Sequence, residues 1–337
     1  MLPSTYNVPS AISNCYPQEV TPIENRESMP ELTSDKPPTS LFTPKIHPNA
    51  QAISARVDAY FLQRWHFRSD AERAKFRAAG FSCLTCLYFP MALNDRIEFA
   101  CRLLTLLFLI DDILEETSLE EGSAYNARLI AISKGERLPD RTVPVQAITY
   151  DLWHEIRECD KILAEDLLHS VIIFMRAQTD KTRLGISELG KYLNYRERDV
   201  GQGLLSALLR FTMKLYLTDD ELHRAGPVER NSAKHIAIVN DIYSWHKEQL
   251  ASQTLHQEGA ALCSAVQVVA NETALGFPAA QRVLWTMCRE WESVHQQLVQ
   301  DVISEGSDSL QIYVRGIEYQ MSGNERWSES TPRYHLS

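Results

Sequence analysis

Four acidic side chains directly follow an apolar run in the stretch LFLIDDILEE, residues 107–116. They are Asp111, Asp112, Glu115 and Glu116. Carboxylates this close together repel one another, and an apolar neighbourhood raises the cost of ionising each of them. Positions four apart lie on nearly the same face of a helix, so Asp111 stands above Glu115. On the residues alone, this pattern predicts either a divalent cation held by the acids or a solvated acidic helix end.

A second group of oxygen-bearing side chains occurs in the stretch VNDIYSWHKEQL. Asn240, Ser244 and Glu248 recur every four residues and would form one stripe along a helix, with Asp241 pointing elsewhere. An amide, a hydroxyl and one carboxylate add little negative charge, which suits a site where a diphosphate supplies most of it. Lys247 adds a cation that could reach a phosphate oxygen. Apolar neighbours argue against a plain solvent-facing surface: Ile238, Val239 and Ile242.

Together the two groups predict a divalent-metal site between facing helices, because bundle folds build sites from side chains on facing helices. Oxygen ligands of this kind favour Mg²⁺, which keeps several waters and is usually shared with substrate phosphates.

The elements that would carry these residues are helices. Apolar residues recur at helical spacing in several stretches, and alternating strand patterns are hard to find. Ser118 with Glu121, and Thr218 with Glu221, have capping-box spacing. Nine of the 15 prolines precede Ala50. These patterns predict a disordered tail at 1–48 and a single all-α domain at 49–337.

Composition limits the partners. The net charge of the 337 residues is -10, which disfavours nucleic acid and anionic membrane surfaces. The longest apolar run is too short to span a bilayer, and the N-terminus lacks the pattern of a targeting leader, so we expect a cytoplasmic protein without membrane insertion. Cys83 and Cys86 lack a second pair that would complete a zinc site, so we expect reduced thiols.

The two acidic motifs resemble those of a known family. DDILE resembles the aspartate-rich motif of class I terpene synthases, and NDIYSWHKE matches the second metal motif of that family at every defined position. The first motif is shared with prenyl-chain-elongating enzymes, whereas the second is specific. Further stretches are similar to fungal sesquiterpene cyclases: CLYFP, EEGSAYN, LPDRTVP, FMRAQTD, YRERDVG and EYQMSGNERWS. The resemblance extends from about residue 41 to residue 334.

The resemblance implies roles for individual residues. It implies that Mg²⁺ is held by Asp111, Asn240, Ser244 and Glu248. It implies that diphosphate is bound by Arg196, Lys247, Arg333 and Tyr334. It implies a helical bundle with a central apolar cavity, where an aromatic pocket for a carbocation is formed by Tyr88, Phe108, Phe174 and Trp327. Aromatic rings attract positive charge without bonding to it. Arg198 is the rival of Arg196 if the helical register is different.

The resemblance also implies a reaction. We expect Mg²⁺-dependent ionisation of farnesyl diphosphate, with three ions bound once the diphosphate arrives, and cyclisation through neutral germacrene A to aristolochene. Two alternatives stay open: a cyclase of the same family with another product, and a non-catalytic helical homologue. A prenyl-elongating enzyme would carry a second aspartate-rich motif in place of Asn240, Ser244 and Glu248. Relatives associate, so a homodimer is expected on analogy.

Overall fold

A computed structural model describes residues 37–304 and 306–335, and every regular element in these ranges is a helix. The predicted all-α class is confirmed. The α-helices are α1 (Ala50–Arg64), α2 (Asp70–Ala79), α3 (Phe81–Tyr88), α4 (Ile97–Glu115), α5 (Leu119–Ser133), α6 (Pro144–Cys159), α7 (Lys161–Ala177), α8 (Leu189–Asp199), α9 (Gln202–Met213), α10 (Asp219–Thr254), α11 (Ala265–Thr273), α12 (Phe277–Ile303) and α13 (Asp308–Ser330). Short 3-10 helices lie at Lys181–Gly185 and Glu258–Ala260.

Helix α4 lies within the bundle, against α1, α3, α6 and α9. Its apolar residues occupy all sides of the helix, and Leu103, Leu106 and Leu107 are at most 4% exposed. A helix that is apolar all round is stable when protein surrounds it. Within the described ranges, no helix combines the length and apolar composition needed to cross a bilayer. The largely buried apolar run of α4 therefore ends at Ile110, and after it only Leu114 of this helix is buried.

Helix α10 carries the second stripe and packs along α12 and α13. It begins at the predicted capping box of Thr218 and Glu221, and the predicted box of Ser118 and Glu121 likewise begins α5. Pro227 lies inside α10. Proline inside a helix costs about 3 kcal/mol or more through the lost hydrogen bond and ring clash. Packing of α10 against two long helices offsets that cost.

Part of the segment predicted as a disordered tail is described, and it lies against the bundle. The compact helical unit begins at Pro38 rather than at residue 49. The Leu41 N–H donates to a carboxylate oxygen of Glu292 at 2.7 Å, and Phe42 is 6% exposed. The proline-rich composition of this segment did not predict these contacts, because they involve a helix more than two hundred residues away in the chain. Residues 1–36 of the predicted tail lie outside the described residues.

The buried histidine behind this segment makes stability depend on pH. His295 is 0% exposed, and burial lowers its pKa from 6.5 to about 4. As pH falls from 6.5 towards 4, the unfolded chain binds a proton that the folded protein does not, so the free energy of unfolding falls. Between pH 6.5 and pH 4, we expect the free energy of unfolding to fall less in His295→Leu than in the unsubstituted protein, by on the order of 3 kcal/mol.

Urea unfolding of both proteins at neutral and acidic pH measures the effect, because other titrating groups contribute equally to each. A stability difference between His295→Leu and the unsubstituted protein that stays constant across this pH range would contradict the assignment.

Candidate active site

A cavity of about 210 Å³ lies among α3, α4, α7, α8, α9, α10 and α13. Its inner wall is apolar and includes Leu84, Leu104 and Leu107, whereas its mouth carries charged and amide side chains. All the site residues predicted from the sequence line this one cavity: Tyr88, Phe108, Asp111, Phe174, Arg196, Asn240, Ser244, Lys247, Glu248, Trp327, Arg333 and Tyr334. The fold therefore brings together residues that are up to 246 positions apart in the chain, from Tyr88 to Tyr334.

The four acids at the end of α4 divide into two pairs. Asp111 and Glu115 line the cavity, as their shared helical face predicts. Asp112 turns towards the C-terminal segment, where its carboxylate accepts a 2.7 Å hydrogen bond from Arg333. Glu116 is exposed and forms a two-point contact with Arg68, with both hydrogen bonds at 2.8 Å. Glu116 is thus a solvated helix end.

The position of Asp111 makes its negative charge costly. Its side chain is 44% exposed because it faces the open cavity, but protein surrounds that cavity. Burial and the neighbouring Glu115 raise the pKa of Asp111 to about 6, while Lys247 and Arg333 oppose this shift. Gln178 donates a 3.2 Å hydrogen bond to the Asp111 carboxylate and orients it. A carboxylate with a pKa raised in this way is stabilised in its charged form by a nearby cation.

The predicted stripe on α10 faces the same space. The Ser244 hydroxyl donates to the Glu248 carboxylate at 2.6 Å, and Ser244 is 2% exposed. The amide group of Asn240, as assigned from its contacts, donates to the Tyr334 hydroxyl at 2.7 Å. Its carbonyl oxygen accepts from Arg196 at 3.1 Å. Burial and the charge of Asp241 raise the pKa of Glu248.

Arg196 is the charged centre of the α8–α10 contact. Its guanidinium pairs with Asp199 and, at 3.0 Å, with Asp241, and its side chain is 11% exposed. Arg198, its rival in the sequence, points away and lies 3.7 Å from Asp180 with its side chain 55% exposed. Of these two arginines, Arg196 is therefore the one that faces the cavity.

Asp241 contributes to the site although the sequence did not predict it as a site residue. It points away from the Asn240 stripe, as predicted. Its carboxylate is 0% exposed and forms an ion pair with Arg196. It also accepts hydrogen bonds from the Tyr192 hydroxyl and from the Ala265 N–H, the latter at 2.9 Å. Burial raises the pKa of Asp241, and the Arg196 guanidinium opposes that shift. Its partners lie on α8 and α11, so helical periodicity could not reveal this role.

Two further cations stand at the mouth, each paired with an acid of α4. Lys247 on α10 pairs with Glu115, and Arg333 pairs with Asp112. The Arg333 guanidinium also lies over the Phe108 ring, 6.0 Å from its centroid. These contacts anchor the segment that carries Arg333, whose side chain is 12% exposed.

The aromatic residues form the inner part of the cavity. Phe108 stacks on Phe81 with ring centroids 4.5 Å apart, and Trp327 lies 6.0 Å from Phe108. The Trp327 indole N–H donates to a backbone carbonyl at 2.9 Å, and the Tyr88 hydroxyl donates to Asn324 at the same distance. These hydrogen bonds fix the rings and occupy their polar atoms. Asn324 also lines the cavity but was not predicted, because nothing in its spacing distinguishes it from a core residue. Phe81 packs against Phe108 without lining the cavity.

The Phe174 ring packs against Gly201, which lies between α8 and α9. Gly201 has φ +77°, a left-handed conformation that side-chain-bearing residues rarely adopt. A Cβ at Gly201 would lie 3.1 Å from the Phe174 ring. A larger residue here would be strained and would push against the aromatic wall.

The donor set at the mouth fits Mg²⁺. It consists of the Asp111 and Glu248 carboxylates, the Ser244 hydroxyl and the Asn240 amide oxygen, all lining one cavity. Hard oxygen donors without sulfur or imidazole are the set that Mg²⁺ prefers. The raised pKa values of Asp111 and Glu248 indicate carboxylates that a bound cation would stabilise.

Comparisons with known proteins agree with this geometry. Residues 102–293 match the model of terpene synthase family 2, C-terminal metal binding. The chain is 55% identical to an aristolochene synthase of Aspergillus terreus, over 90% of this chain and 96% of that protein. It is 54% identical to a (+)-aristolochene synthase of Penicillium expansum, over 88% of this chain and 91% of that protein.

The fold agrees as well. The crystal structure of aristolochene synthase from Penicillium roqueforti matches with a TM-score of 0.78 and 52% identity, covering 88% of this chain and all of that one. The family resemblance seen in the sequence is confirmed, and the chain belongs to the terpene synthase family.

Proposed function

We propose that this protein is a sesquiterpene cyclase that converts farnesyl diphosphate to aristolochene and diphosphate through germacrene A. One observation carries the proposal: metal-type oxygen donors, cations and an aromatic wall meet in a single cavity. Such a cavity suits a substrate that is polyanionic at one end and apolar at the other. The choice of product draws support from relatives named aristolochene synthase at over half identity.

The diphosphate end of the substrate would be held at the mouth. Arg196, Lys247 and Arg333 each pair with a carboxylate in the free protein. A diphosphate carries more charge than a carboxylate, so these cations would exchange their partners for its oxygens. The Tyr334 hydroxyl, close to Asn240, adds a neutral donor. These groups would stabilise the negative charge that develops on the leaving group.

Asp111, Asn240, Ser244 and Glu248 would hold the metal, for which we propose three Mg²⁺ ions in the presence of diphosphate. When bound, Mg²⁺ supplies Lewis-acid stabilisation of the departing diphosphate. The role of the protein here is to present oxygen donors from two facing helices at a fixed separation.

The hydrocarbon end would lie against Tyr88, Phe108, Phe174 and Trp327. Ring faces stabilise a carbocation without trapping it. Burial raises the pKa of Tyr88 well above its ordinary value, so the phenol stays neutral, and its hydroxyl donates to Asn324. The carboxylates and cationic side chains that line the described cavity stand at its mouth, so we assign proton transfer to the released diphosphate.

Phe108→Ala tests the aromatic wall. We expect turnover to fall about tenfold or more and the products to shift towards less cyclised hydrocarbons, since a desolvated cation–π contact contributes about 2 kcal/mol. Phe99→Ala is a matched control, because Phe99 packs against Phe211 and does not line the cavity. Identical rate and products in Phe108→Ala would reduce Phe108 to a packing residue.

Incubation with farnesyl diphosphate and Mg²⁺, followed by gas chromatography of the volatiles, tests the proposed function. Aristolochene as the main product supports it. A different sesquiterpene supports the alternative of a related cyclase, and no volatile with no diphosphate release supports a non-catalytic homologue. We also propose a homodimer in the cytoplasm, and light scattering on the purified protein tests the dimer.

A further inference from the structure

A close backbone contact joins the end of α4 to the 3-10 helix that follows α10. The Gly259 N–H donates to the Thr117 carbonyl at 3.0 Å. A Cβ at Gly259 would lie 1.9 Å from the Leu114 carbonyl oxygen and 2.8 Å from that of Thr117. Both obstacles are main-chain atoms, so no side-chain rotation could relieve the clash. Only glycine fits here, and any other residue must move one backbone away from the other.

The neighbouring residue strengthens this contact. The Glu258 carboxylate accepts a 3.2 Å hydrogen bond from the N–H of Leu119, the first residue of α5. The first N–H groups of a helix have no partner within it and favour negative charge nearby. Glu258 and Gly259 thus fasten the segment to the turn that links α4 to α5.

Arg183 holds the same segment from the opposite side. Its guanidinium donates to the Ala261 carbonyl and to the Gln178 carbonyl, both at 3.3 Å. The side chain of Gln178 in turn donates to Asp111 on α4. These contacts therefore form a continuous chain around the cavity mouth. The chain of contacts begins at the first metal motif and ends at the turn that follows α4.

We call Arg183 and residues 258–261 the clasp. Arg183 and residues 259–261 of the clasp line the cavity, as do Glu115 and Leu119. Helix α10 ends at Thr254, so residues 255–257 alone separate the clasp from the helix that carries Asn240, Ser244 and Glu248. Movement of the clasp away from α4 would change the separation of the two metal motifs and open the side of the cavity to water.

We propose that Gly259 is a positioning residue, whose missing side chain lets the clasp fix the separation of the α4 and α10 metal motifs and exclude water from the cavity. This inference rests on the proposed function. With the clasp displaced, a neutral cyclic intermediate can leave before reprotonation, and water can capture a cation.

Gly259→Ala tests the proposal against Gly190→Ala, a matched control in α8 whose added Cβ meets nothing within 4 Å. In Gly259→Ala we expect the Mg²⁺ concentration for half-maximal activity to rise about tenfold, as for other groups that orient metal ligands. We expect monocyclic hydrocarbons and alcohols to replace part of the bicyclic product. Gly190→Ala should match the unsubstituted protein in both measurements. Glu258→Gln serves if Gly259→Ala does not fold, with smaller changes in the same direction.

A second measurement does not depend on turnover. Hydrogen–deuterium exchange of residues 256–263 should be faster in Gly259→Ala than in the unsubstituted protein, and unchanged in Gly190→Ala. Faster exchange with an unchanged product mixture and Mg²⁺ requirement would overturn the positioning role, as would unchanged exchange. If the unsubstituted protein fails to turn over farnesyl diphosphate, the proposed function falls, while exchange still decides whether the clasp exists.

Discussion

Replacing Asn240, Ser244 and Glu248 together by alanine is expected to lower Mg²⁺-dependent turnover of farnesyl diphosphate by at least about a thousandfold. The three side chains form one stripe on α10, and Ser244 donates to Glu248. Their loss would leave the diphosphate without the cation that stabilises its departure. Turnover measured with excess Mg²⁺ and farnesyl diphosphate checks the result.

The triple variant is expected to fold. Ser244 and Glu248 are each other's hydrogen-bonding partners, so removing both leaves neither buried and unpaired. Gln249→Ala, the next position on the same helix, is the matched control and should retain full turnover. Circular dichroism checks that the variants keep their helices. Turnover within a few-fold of the unsubstituted protein, in a folded triple variant, would exclude this stripe as the metal site.

Arg196→Met is expected to abolish turnover and also to lower the free energy of unfolding by about 3–5 kcal/mol. The reason is the buried carboxylate of Asp241, which would lose the cation 3.0 Å from it. Removing one partner of a buried pair is costly, because the other charge remains without compensation. Urea unfolding measures the stability change, and diphosphate release measures turnover.

Asp241→Asn in the Arg196→Met background separates the two roles. A neutral amide in place of the carboxylate should recover part of the lost stability, about 1–3 kcal/mol, without recovering turnover. Arg198→Met is the matched control, since its partner Asp180 is at the surface and exposed pairs contribute about 1 kcal/mol or less. Recovery of turnover in the double variant would show that Arg196 acts on stability alone.

The parts of the site that were predictable from the sequence depend on spacing along one helix. Asp111 above Glu115, and Asn240, Ser244 and Glu248 in line, follow from helical geometry and need no knowledge of the fold. Phe108 could be placed just beneath Asp111 for the same reason. Both capping boxes are equally local, and the structure contains them.

The parts that were not predictable depend on contacts between distant segments. Asp241 is functional only because Arg196, from α8, lies against it. The contact of Gly259 with Leu114 depends on two backbones meeting, which leaves no pattern in either stretch. Pro227 within α10 shows packing overriding local preference. Roles for Arg333 and Tyr334 were predictable only from the family resemblance.

Helix α4 carries both an aromatic wall residue, Phe108, and a metal-motif residue, Asp111, less than one turn apart. Helical rise and rotation per residue are fixed, so exchanging one wall side chain for another leaves Asp111 where it was. Changes of product and loss of ionisation are therefore separable under mutation. A cyclase built in this way can diverge in its hydrocarbon products while the first step of the reaction remains under constant selection.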